Sequence, residues 1–140
     1  MKLKMTGHDS RKREYVSTAT LKKVSGGNAT GYFATDIDWD DATDPIKVKF
    51  TNTIYINKEL EGQKKKDVEA HEEKHFNDFK ALAAKLKKTI ESVKEGGDAQ
   101  MQDRIDWFLY DKCVSSANFH RKETDYSVEI CSKPSSTRPA

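Results

Sequence analysis

Long apolar runs are missing from this chain of 140 residues; no stretch approaches the roughly 18 consecutive apolar residues that a membrane-spanning helix needs. Charge of one sign is scarce as well. Twenty-five Lys and Arg against 23 Asp and Glu leave a net charge of +2, too little to argue for nucleic acid, and basic residues do not interleave with aromatics. The runs Lys64-Lys65-Lys66 and Lys85, Lys87, Lys88 have acids nearby and read as solvated helix faces. Cysteine is limited to Cys113 and Cys131, without the C-x-x-C spacing of a redox or cysteine-based zinc site. An even pair in a small domain favours one disulfide and a periplasmic or secreted protein, with two buried apolar cysteines as the alternative. Met1-Lys2-Leu3-Lys4 carries the charge of a signal peptide, yet Thr6, His8, Asp9 and Arg11 stand where its apolar segment belongs. A soluble chain with no export signal of its own is therefore expected.

What is present is one domain's worth of chain, 35% apolar and 34% charged, enough for a modest core under a heavily charged surface. Residues 1–13 are basic and aperiodic and are expected to form a flexible arm. Tyr15, Val16, Thr18, Thr20 and Leu21 predict a strand over 14–23, and Ser25-Gly26-Gly27-Asn28 a hairpin turn after it. Phe33, Thr35, Ile37 and Trp39 alternate with Ala34, Asp36 and Asp38, giving a strand with one wet face. The acids Asp36, Asp38, Asp40, Asp41 and Asp44 suggest an EF-hand loop, but its required glycine and closing glutamate are replaced by Asp41 and Lys47, so that reading fails. Asn28-Ala29-Thr30 is a glycosylation sequon of little weight. After Asp44-Pro45, the segment from Ile46 to Ile56 predicts a third strand, or a strand with a bulge near Asn52. As an edge strand preceding the next helix, it would let an extended peptide pair beside it.

That helix, expected from Gln63 to Glu95, contains His71-Glu72-Glu73-Lys74-His75. At 3.6 residues per turn, His71 and His75 stand on one face with their rings able to converge on one ion, and Glu72 lies beside them. This is the HExxH arrangement: two neutral imidazoles hold Zn²⁺ and the glutamate takes a proton from the water it binds. Zinc peptidases of this type prefer uncharged middle residues, where this chain has Glu73 and Lys74. Val68, His71, His75, Phe79, Leu82, Leu86, Ile90 and Val93 keep helical spacing, which predicts both histidines on a buried stripe.

Gly96-Gly97 is expected to stop this helix, and Asp98 to cap a second one with Met101, Ile105, Leu109, Cys113, Ser116, His120 and Glu123 on one face. Counting outwards from the glycine joint, an antiparallel pair returns His120 and Glu123 to the level of His71 and His75. A catalytic zinc needs three protein ligands and one open position, so either His120 or Glu123 completes the set.

The HEEKH helix after a β region, with a second helix ending Ala117-Asn118-Phe119-His120-Arg121-Lys122-Glu123-Thr124-Asp125-Tyr126, resembles the bacterial family of predicted zinc-dependent proteases known as domain of unknown function 922. Over Glu14 to Val128, that family's Tyr-Asp-x-Glu-Thr-x-His-Gly motif matches at Glu123 and Thr124. It is replaced at His120, Arg121, Tyr126 and Ser127. The resemblance implies a zincin-like peptidase and favours Glu123 as third ligand, with His120 close behind. On chemistry alone, a Tyr126 hydroxyl just past the helix would suit a tetrahedral oxyanion.

The expectation is an α+β domain over residues 14–131: a small antiparallel sheet of about three strands packed on a long antiparallel helical hairpin, followed by a disordered tail over 132–140. It would bind one Zn²⁺, hydrolyse protein or peptide substrates and leave nucleic acid alone, its oligomeric state being open. The competing reading is a non-catalytic helical hairpin used as an interaction surface.

Overall fold

The computed structural model of the protein describes residues 3–40, 45–91, 98–124 and 129–138. Its elements in chain order are β1 (Leu3–Thr6), β2 (Lys12–Val16), α1 (Thr18–Ser25), β3 (Gly31–Asp40), β4 (Ile46–Asn57), α2 (Gly62–Glu91) and α3 (Asp98–Thr124). The architecture is α+β, but the sheet has four strands and is not the antiparallel three-stranded sheet expected. Strand β4 is hydrogen-bonded to β1, β2 and β3, and β2 runs parallel to it, from Lys12 opposite Thr53 to Val16 opposite Asn57.

The departure begins at Ser17. Its hydroxyl accepts a hydrogen bond from the Thr20 backbone N–H at 3.2 Å, capping a helix where Thr18, Thr20 and Leu21 had suggested a strand. Leu21, fully buried, anchors that helix to the core. Gly26, at φ 74°, then closes it by donating its N–H to the Lys22 carbonyl. The Ser-Gly-Gly-Asn turn signal therefore marks a helix end and not a hairpin. With a helix and a further strand between them, β2 and β4 can lie parallel, which a tight hairpin forbids.

Strand β4 is also not an edge strand. Its burial alternates at first, and Ile54 and Ile56 are then fully buried. Asn52 is 4% exposed and its amide is satisfied: it donates to the Gly7 and Ser10 carbonyls at 3.0 Å each and accepts from the Thr35 hydroxyl at 3.0 Å. These bonds tie the turn after β1, and β3, to the central strand. The N-terminal residues expected to form a loose arm thus supply β1 and the start of β2. Gly7 has φ 78°, and a Cβ there would overlap the Phe50 carbonyl, so the turn depends on glycine.

By contact density the chain divides into two units. One, comprising residues 6–38 and 49–77, holds most of the sheet and the first half of α2; its ring contacts include Phe33 with Phe76 at 6.0 Å. In the other, comprising residues 1–5, 39–48 and 78–140, the second half of α2 packs on α3. There Arg104 donates to the Thr89 carbonyl at 3.1 Å and the Phe79 and Phe108 rings meet edge-on at 5.7 Å, so these helices run in opposite directions. Cys113 and Cys131 are joined by a disulfide. In residues 132–138, the described part of the segment expected to be a disordered tail, Ser136 accepts from the Trp107 indole N–H at 3.0 Å, and Arg138 pairs with both oxygens of Asp111. Among the described residues no helix is long and apolar enough to cross a membrane.

Candidate metal centre

The buried stripe of α2 runs through Glu72, Phe76, Phe79, Ala83, Leu86 and Ile90; it shares Phe79, Leu86 and Ile90 with the stripe that the spacing suggested but takes Glu72, Phe76 and Ala83 in place of His71, His75 and Leu82. His71 and His75 consequently flank it, half-buried, while Glu72 is the residue driven inward, at 4% exposure. The two imidazoles stand as the helical spacing requires. Their Nε2 atoms are 3.1 Å apart and their planes are steeply inclined, at 77°. The His71 Nε2 lies 3.8 Å from a Glu72 carboxylate oxygen.

Glu72 is fixed from the sheet side. A Cβ built on Gly31, the first residue of β3, would come within 2.6 Å of Val68 Cγ1 and 3.0 Å of Glu72 Cγ. The strand thus begins directly against the turn of α2 that presents the carboxylate. The charged middle residue Glu73 also has a structural task. Its Oε1 accepts from Arg13 and pairs with Arg11, at 2.7 Å in each case, while Arg13 reaches Glu69 at 3.0 Å. Burial pulls the Glu73 carboxyl upward, but the two guanidiniums outweigh it and hold the group below its ordinary range. This clamp secures the HExxH turn to β2.

On α3, His120 presents its Nδ1 to the carboxylate of Glu129, which also accepts from the Ser116 hydroxyl at 3.1 Å. Among the described residues, His71, His75 and His120 form a group suited to a metal ion: one ligand atom from each, all within 4.8 Å of one another. Glu123 is exposed in the last turn of α3 and contributes no atom to this group. Tyr126 and the Gly96-Gly97 joint lie outside the described residues.

The donor set fits zinc in kind, since three neutral imidazoles are a common catalytic zinc environment. The spacing of the α2 pair fits as well. Nitrogens bound tetrahedrally at ~2.05 Å lie roughly 3.3 Å apart, close to the 3.1 Å between His71 and His75. The His71–His75 hydrogen bond needs one Nε2–H and one Nε2 lone pair, whereas joint ligation through Nε2 needs two lone pairs. Binding would thus move one proton to Nδ1.

Glu129 was not identified by sequence reasoning. The available signal was indirect: it lies two positions before Cys131, whose partner Cys113 is on the same α3 face as Ser116 and His120. Comparisons of the chain with models of known protein families, with curated proteins and with solved structures gave no match.

Proposed function

We propose that this chain is a zinc-dependent peptidase in which His71, His75 and His120 hold the ion and Glu72 handles the proton. The observation carrying the reading is the convergence of the three imidazoles, two of them one helical turn apart. The buried Glu72 beside His71 supplies the acid–base group, and the HExxH and Glu123-Thr124 resemblance points the same way. Zinc held there would polarise the scissile carbonyl and bring the pKa of a bound water near 7. Glu72 accepts a proton from the attacking water and returns it to the leaving amine. Tyr126, two residues beyond α3, is the candidate donor to the oxyanion.

A peptide is favoured as substrate by β3. Its strand partner among the described residues is β4, and it starts against Glu72. An extended chain added to its other edge would pass beside that carboxylate. The disulfide supports an oxidising compartment, periplasmic or extracellular.

The test pairs zinc content with hydrolysis of an unfolded protein substrate. Glu72→Gln should retain the metal and lose at least ~100-fold in turnover; near-normal turnover in that variant removes the mechanism. Zinc bound by wild-type protein without hydrolysis would favour the non-catalytic interaction domain.

A further inference from the structure

We infer that Glu129 is a positioning residue for His120, carried to the ring by the Cys113–Cys131 disulfide. The inference rests on the metal reading above for its consequence, but its structural content stands on α3 and the segment after it. Cys113, Ser116 and His120 follow i, i+3, i+7 spacing and so share one face of α3. The bridge fixes Cys131 against the first of these. Glu129, two residues earlier, then meets the other two, accepting from the Ser116 hydroxyl at 3.1 Å and pairing with His120 Nδ1.

A carboxylate at Nδ1 selects the tautomer with its proton on Nδ1 and leaves the Nε2 lone pair for a metal. It also fixes the plane of the ring. Ser116 gives the same carboxylate oxygen a second hydrogen-bonding partner. The disulfide restrains Glu129 and its neighbours up to Cys131, which among the described residues lie in no helix or strand. An otherwise unremarkable cystine thereby acquires a link to the donor set: with the bridge absent, Glu129 must be ordered at the moment of binding.

The experiment uses the full chain and compares wild type, Glu129→Gln, Glu129→Ala and the Cys113→Ser/Cys131→Ser pair. Zinc affinity is measured by competition with a chromophoric chelator. The His120 tautomer is read by nitrogen-15 NMR of the metal-free protein at about pH 8, above the ordinary histidine range. Glu129→Ala should weaken zinc by ~10–100-fold and turn the Nδ1–H form into a tautomer mixture. Glu129→Gln, which is nearly isosteric and keeps an acceptor, should lose less and preserve the tautomer. The serine pair should weaken zinc too, and adding Glu129→Ala to it should cost little more.

Wild-type-like affinity and an unchanged tautomer in Glu129→Ala would overturn the inference. If wild-type protein binds no zinc, the peptidase proposal fails while the metal-free spectra still decide the positioning role. Loss of the Nδ1–H form in both the alanine variant and the serine pair, with Glu129→Gln keeping it, supports the inference, and the same spectrum in all variants refutes it.

Discussion

Replacing Gly31 with alanine probes the contact between β3 and the metal-motif helix, because the added methyl has nowhere to go. The new Cβ would sit 2.6 Å from Val68 Cγ1 and 3.0 Å from Glu72 Cγ, whereas carbon atoms prefer about 3.5–4.0 Å. Val68 is β-branched and has essentially one rotamer in a helix, so it cannot swing aside. Glu72 is longer but buried. Relief therefore requires β3 and α2 to part locally, at about 1–3 kcal/mol for an overpacked site. Urea unfolding followed by circular dichroism should show that loss. A suitable control is Gly27→Ala, since a Cβ at Gly27 meets nothing within 4 Å; its change should stay within about 0.5 kcal/mol. Because the displaced carbons belong to Glu72 and its neighbour, hydrolysis should suffer more than zinc affinity. Equal stability of the two alanine variants would refute the close packing of β3 on Glu72.

Three further outcomes follow from the same structure. The folded-state pKa of Glu73 is depressed, so its stabilising contribution is complete above the unfolded value, near 4.5, and disappears as pH falls through the folded value. Glu73→Gln should lower the thermal midpoint at neutral pH, with the gap closing in acid; a gap that widens in acid contradicts the Arg11–Arg13 clamp. Ser17→Ala should destabilise by about 1 kcal/mol through the lost α1 cap, measured by urea unfolding, and no effect would count against the helix there. Removing the disulfide, whose cysteines are 18 positions apart, should cost about 3 kcal/mol by loop-closure entropy; unchanged denaturation midpoints in the serine pair would contradict it.

Much of the site could be read from the chain because helical spacing is local. His71 and His75 are one turn apart whatever surrounds them, and counting back from Gly96-Gly97 predicted His120 and Glu123 as candidate partners, of which only His120 belongs to the histidine group. The phase of burial was less legible. Eight apolar and histidine positions suggested one stripe, but Phe76 and Ala83 shift the buried line onto Glu72. The sheet was misjudged for a similar reason. Thr18 and Thr20 favour strands on propensity, yet one hydroxyl at Ser17 captures the Thr20 N–H and turns the segment into α1. Parallel pairing of β2 with β4 is a long-range choice to which no local residue pattern points. Glu129 escaped notice because its place depends on a cross-link and not on spacing.

The most direct test of the central claim is the metal content of untagged protein, purified without added chelator, beside that of His120→Ala. The account predicts about one zinc per chain in the wild type and a loss of affinity of at least ~100-fold in the variant, as expected when one of three ligands is removed. Wild-type protein without stoichiometric metal, or a variant that holds zinc as tightly as the parent, would contradict the three-histidine centre.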